Sequence, residues 1–231
     1  MTDADRASIA ALAEARAGGG IGDPTAAVLD GVDPASIPSD GARIAFWINL
    51  YNALLLDELA REPRRGSLLR HRAILSSAKL RVGALEYSLD VIEHGVLRRN
   101  ARLPYRPTRA LRRGDPRTRA APSRLEPRIH FALNCGAVSC PRIAPYEAAA
   151  LDRGLEAATT AYIRAETELD RDRGRIELPY LMRLYKRDFG DRADAIELVA
   201  RHLEPEDGAW LLAQDRVRVG YRPFDWTLEP G

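Results

Sequence analysis

Residues 41–61, GARIAFWINLYNALLLDELAR, carry apolar side chains on nearly every helical face. A surface helix keeps one side polar, so a helix that is apolar all round must be enclosed by the rest of its domain. Ser39 or Asp40 is placed to cap its start. Asn49 and Asn52 interrupt the segment three residues apart, hence on one face. A buried amide needs partners, so each either ties backbone loops to the helix, the favoured role, or faces a polar cavity. Trp47 and Tyr51 read as core and rim packing.

The remaining elements suit such a centre. Residues 1–39 read as an N-terminal helical flank and 40–231 as the main domain. A hairpin around Leu80–Val82 and Glu86–Ser88 feeds a helix from Leu89, capped by Ser88. RIHFAL reads as a short strand, with amphipathic helices over PYEAAALDRGLEAATTAYIRAE and DRADAIELVARHL, and a last strand lies within DRVRVGYRPFDWTLE. Strands and helices mix without regular βαβ alternation. The expected class is therefore α+β, a single domain whose buried central helix packs on a small mixed or antiparallel sheet.

Charge excludes little. Thirty-five basic and 33 acidic side chains leave a net charge of +2, and only Lys79 and Lys186 are lysines. From Arg98 to Arg128 inclusive there are eleven arginines, two acids and five prolines, an irregular excursion over the surface. Stacking of single-stranded nucleic acid needs aromatics among the basic residues, and only Tyr105 is there, so nucleic acid is not the expected partner. No apolar run is long enough for a membrane span, and the N-terminus starts acidic; a cytoplasmic protein is expected.

RIHFALNCGAVSCP, residues 128–141, holds both cysteines and one of the four histidines within eleven residues. As a strand, it places His130 and Asn134 on one face, with Cys135 just beyond its end before Gly136. Three chemistries fit: a nucleophilic thiol with an imidazole base, a zinc site of His130, Cys135 and Cys140 with a further histidine, or a redox pair. Neither Cys-x-x-Cys nor the short zinc knuckle is present. Of the two thiols Cys135 is preferred, flanked by Asn134 and Gly136, because Cys140 precedes Pro141, which has no N–H. Against all three stands a purely structural role for buried thiols and a satisfied imidazole. In LDVIEHGVLRR, Glu93 and His94 fall mid-helix, with His94 and Arg98 sharing a face expected to meet solvent. His71 and His202 read as surface or cap residues without a role.

AFWINLYNALLL, YSLDVIEHGVLR, RIHFALNCGAVSCP with Tyr146 after it, and LYKRDFG together resemble the domain-of-unknown-function family 547, over roughly residues 40–190. The resemblance implies that Asn49, Asn52, Glu93, His94, His130, Asn134, Cys135, Gly136, Ser139, Cys140 and Pro141 belong to one site. It supplies no reaction.

The resulting expectation is a thiol-dependent hydrolase or acyltransferase, like papain or transglutaminase in site logic only. Cys135 attacks an amide, ester or thioester carbonyl of a small molecule or peptide, and His94 or His130 is the base. Asn49, Asn52 or Asn134 orients the imidazole or the oxyanion, Arg98 holds an anionic group, and no cofactor is needed. The rivals are a non-catalytic binding module, whose Asn, His and Cys residues form a structural network, and the zinc site.

Overall fold

The computed structural model describes residues 1–63 and 65–228. Thr2 and Asp5 open α1 (Asp3–Arg16) by accepting each other's backbone N–H, satisfying donors that a helix start leaves orphaned. After α2 (Asp23–Asp30), Ser39 accepts the Ala42 N–H at 3.1 Å and starts α3 (Asp40–Arg61). Phe46, Trp47, Ile48, Leu50, Ala53 and Leu55 of α3 are wholly enclosed, as its all-round apolar pattern requires. α1 lays Ala7, Ala11, Leu12 and Ala15 into the same core, so the N-terminal segment is one of its layers.

Short helices α4 (Leu68–His71) and α5 (Ile74–Ser77) lead to the antiparallel hairpin of β1 (Lys79–Val82) and β2 (Leu85–Ser88). The hairpin meets the central helix where the Tyr87 ring lies 4.6 Å from that of Trp47. A second apolar cluster gathers around α6 (Leu151–Glu166), β3 (Glu168–Asp170), β4 (Arg175–Leu178), α7 (Tyr180–Leu184), α8 (Arg192–His202), α9 (Pro205–Leu212) and β5 (Arg218–Tyr221). Its sheet has the order β3-β4-β5, β3 antiparallel and β5 parallel to β4. The architecture is α+β, with a buried central helix and two small sheets. Among the described residues no helix is long and apolar enough to cross a membrane.

Two expected elements differ, and both carry site residues. The segment of Arg128–Asn134 is no strand: Pro127–Phe131 forms a 3₁₀ helix, because Pro127 fixes a helical φ and the Glu126 carboxylate accepts the Arg128 N–H at 3.1 Å. The single-face argument for His130 and Asn134 therefore fails. Val91–Leu97 is a π-helix, with the Arg98 N–H reaching the Glu93 carbonyl at 2.8 Å, after Ser88 caps the turn as expected. Such wide turns are frequent at functional sites. Gly95 permits the packing, since a Cβ there would come within 2.8 Å of Leu111. His94 and Arg98 do not meet solvent; they are 2% and 5% exposed. His202 is buried too, its Nδ1–H donating to the Leu198 carbonyl at 2.7 Å.

The excursion from 98 to 128 is largely irregular, as expected, yet several arginines pin it down. Arg43 donates to the carbonyls of Ala35, Ile37 and Ala121, Arg99 to those of Pro122 and Ser123, and Arg117 to that of Glu86. These bonds replace the ladder that irregular backbone lacks.

Candidate active site

The thiol loop hangs from α3 by its two amides. Asn52 donates to the Ala132 carbonyl at 3.0 Å and accepts the Asn134 N–H at 3.0 Å; Asn49 does the same for both backbone groups of Tyr146, at 2.8 and 2.9 Å. Asn134 then braces the turn from inside, donating to the Pro141 carbonyl and accepting the Gly136 N–H. Gly136 has a φ of +88°, and a Cβ there would press on Leu59 and Leu228 at 3.1 and 3.3 Å. Residues 225–228 zip along the loop's far side: Val138 donates to Thr227, Ser139 Oγ accepts the Asp225 N–H, and Leu68 donates to Trp226. The expected tie role of Asn49 and Asn52 is what the geometry displays.

This bracing sets the two sulfurs. The Cys140 Sγ accepts the Cys135 N–H at 3.1 Å. Burial opposes ionisation of Cys140, but hydrogen bonds from the Cys135 thiol, the Cys135 N–H and the Ala137 N–H outweigh it and pull its pKa below the ordinary value. Donating to Cys140, together with burial, drives the Cys135 thiol well up. Pro141 is no handicap to Cys140, because the donors come from residues before it. Both cysteines are half-buried and free.

Two imidazoles approach from different elements, in unequal states. Asp188 takes Arg98 in two-pronged fashion, at 2.5 and 3.0 Å, and contacts His130 Nε2 at 2.8 Å. Despite burial, the bonds from His130 and Arg98 hold the Asp188 carboxyl at about 2. A carboxylate only accepts, so His130 carries its proton on Nε2, leaving a lone pair on Nδ1, which is buried and has no hydrogen-bond partner among the described residues. Burial pushes its pKa below 6.5, although Asp188 and Glu93 pull the other way. The ring lies flat on Tyr185, centroids 3.8 Å apart.

His94 is engaged differently. A guanidinium only donates, so the 3.0 Å contact from Arg98 Nη1 occupies the lone pair of Nδ1 and puts the proton on Nε2, 3.8 Å from Asp90. Burial lowers its pKa as well. Glu93 stays ionised: burial raises its carboxyl, but the imidazoles of His94 and His130, the Tyr185 hydroxyl and Arg98 outweigh this.

Glu93, His94, His130, Cys135 and Cys140 all line one cavity of about 220 Å³, at the seam of the two apolar clusters. Its other walls are mostly apolar, with Leu68, Leu75, Leu133, Leu181, Phe224 and Trp226 prominent. Arg98, Asn49, Asn52 and Asn134 lie outside the lining and support it. The residues that sequence reasoning passed over are Asp188 and Tyr185, although LYKRDFG contains both. Among the described residues no group of three or more His, Cys, Asp and Glu side chains is arranged to hold a metal ion.

A half-buried thiol pair, a carboxylate-braced imidazole and an apolar recess define the class of site, one suited to acyl chemistry or to binding an apolar group. The family model described as "Protein of unknown function, DUF547" matches residues 36–163, more than half of the chain, and the chain belongs to that family. The match contains both cysteines, both site histidines and the three asparagines; Tyr185, Asp188, Phe224 and Trp226 lie beyond it. No curated protein and no solved structure matches the chain.

Proposed function

We propose that this protein is a thiol-dependent hydrolase or acyltransferase, with Cys140 as nucleophile in place of the Cys135 expected from flanking residues, and His130 as base. The observation that carries the reading is the 3.1 Å bond from the Cys135 N–H to the Cys140 sulfur, on the wall of a cavity that His130 also lines. Fixed donors on a sulfur favour the thiolate, the reactive form.

At rest His130 Nδ1 makes no hydrogen bond to the sulfur, so in the proposed step the Cys140 proton passes to it through one water of the cavity, and the sulfur attacks the carbonyl carbon of an ester, thioester or amide. The new C–S bond pushes the carbonyl pair onto oxygen; its return expels the leaving group, which takes the proton from His130. Water or an acceptor nucleophile then loses its proton to His130, attacks the thioester and releases Cys140. Asp188 fixes the His130 tautomer and stabilises the imidazolium, while Arg98 keeps Asp188 ionised. His94, its Nδ1 occupied by Arg98, is a positioning residue and no longer a base. The apolar walls receive an acyl chain or aromatic group.

Iodoacetamide labelling mapped by mass spectrometry tests the reading. At pH 7 Cys140 should alkylate faster than a free cysteine and well ahead of Cys135. If both thiols stay protected until the chain unfolds, the reading fails and a non-catalytic binding module takes its place.

A further inference from the structure

A second, more open cleft of about 1090 Å³ adjoins the cavity, and Tyr105, Leu184 and Tyr185 line both. Two segments distant in sequence build it, 98–109 and 183–188, joined by the Arg98–Asp188 ion pair. The Leu103 N–H bond to the Thr108 carbonyl, at 3.0 Å, folds the first segment into a tight loop with Arg106 near its tip. Exposed Arg102, Arg106, Arg109, Arg183, Lys186 and Arg187 line the cleft. Its one acid is Asp188, whose two oxygens are already taken by Arg98 and His130.

Placed beside a finished ion pair, these cations are mostly left unneutralised among the described residues, Arg106 alone being drawn to a further carboxylate, that of Asp90, beyond ion-pair distance. None of Arg102, Arg106, Lys186 and Arg187 has a carboxylate within ion-pair distance among the described residues. On the same excursion Arg117 and Arg128 are spent on Asp115, Glu126 and Asp152. Six like charges converging on one concavity repel one another and raise the local concentration of anions.

Resting on the acyl-transfer reading of the adjoining cavity, we propose that this cleft binds a multiply phosphorylated handle on the acyl substrate. The apolar group enters between Leu133 and Trp226, and the handle lies across Arg102, Arg106 and Lys186, with the shared wall of Tyr105 and Tyr185 beneath the link. Arginine forks suit phosphate oxygens. A single-stranded nucleic acid is the poorer fit, because stacking platforms are few and the cleft runs into a narrow apolar recess instead of across the surface.

Inorganic pyrophosphate is the probe, titrated calorimetrically into the full chain, its Cys140→Ala variant and an Arg102→Glu/Arg106→Glu/Lys186→Glu variant. Wild type and Cys140→Ala should bind it alike and more weakly as salt rises, and the charge-reversed variant should lose at least about tenfold in affinity, the worth of one charged hydrogen bond. Arg106→Glu alone, at the exposed tip, gives the same reading in smaller degree if the triple variant does not fold. Absence of pyrophosphate binding to wild type, or equal binding by the reversed variants, overturns the proposal. Because Cys140 labelling needs no anion, failure here is distinguishable from failure of the thiol chemistry. A short oligonucleotide binding far more tightly than pyrophosphate overturns the small-molecule handle in favour of nucleic acid.

Discussion

The amides on α3 and the imidazoles across the cavity are both buried polar groups, but they differ in what they have left to give. Asn49 and Asn52 spend oxygen and nitrogen alike on backbone groups of distant segments. His130 spends one nitrogen on Asp188 and keeps the other unpartnered. A buried group with every valence used is scaffold; one held in place with a valence in reserve can act on something that arrives. The thiols divide in the same way, Cys135 giving its N–H to the Cys140 sulfur, whose pKa is drawn below the ordinary value while that of Cys135 rises.

The largest expected effect therefore falls on Cys140. Cys140→Ser should lower ester or thioester turnover by about 10⁴-fold or more, whereas Cys135→Ser keeps both donors and should retain most of it. Steady-state rates on a chromogenic thioester decide this, and equal losses at both positions would erase the distinction. Next comes Asp188→Asn, which leaves Arg98 and His130 facing a neutral amide. Stranding a buried guanidinium costs about 3 kcal/mol in urea unfolding, and the freed choice of His130 tautomer should cut turnover further in the folded fraction. Arg98 Nη1 also donates to the Arg102 carbonyl at 3.1 Å, and unchanged stability would show that this bond and the one to His94 satisfy it alone.

How much of this was legible in sequence depended on whether the signal was local. The enclosure of α3 and the tie role of Asn49 and Asn52 follow from apolar residues on every face, a property of one continuous segment. The cluster in RIHFALNCGAVSCP was visible as composition, but its geometry was not: alternation predicts a strand, and Pro127 with a capping Glu126 makes a 3₁₀ turn instead. Ranking the thiols from their neighbours could not take in the donors to Cys140, which sit three and five residues earlier, across a turn that Asn134 shapes. Asp188 was visible only as a member of LYKRDFG, with no role attached. Its place beside His130 and Arg98 is a tertiary pairing across 58 and 90 residues, and nothing around DFG distinguishes it from a surface acid.

On the scaffold side, Asn52→Ala strands one buried carbonyl and one N–H at the root of the thiol loop, at a cost of about 2 to 3 kcal/mol. The comparison sharpens if Cys140 labelling slows only in proportion to the fraction unfolded. A variant as stable as wild type would mean the loop has other anchors.

The most gradual effect is on stability against pH, and its sign is fixed. Burial holds the folded-state values of His94 and His130 below 6.5, so their contribution is fully present above that pH. As pH falls below 6.5 the unfolded chain binds protons that the folded one refuses, and stability should drop by up to about 1.4 kcal/mol per pH unit for each imidazole until the folded-state values are reached. Asp188, at about 2 against 3.8, adds a separate loss only between those two values, far down the acid limb. Urea melts at pH 7.5, 6.0 and 5.0 isolate the imidazole part, and His130→Phe should flatten the slope by roughly one proton's worth. A wild-type slope of the opposite sign would mean that His130 is protonated in the fold. Its Nδ1 would then be a donor, and the reserve of valence that separates it from the asparagines would be gone.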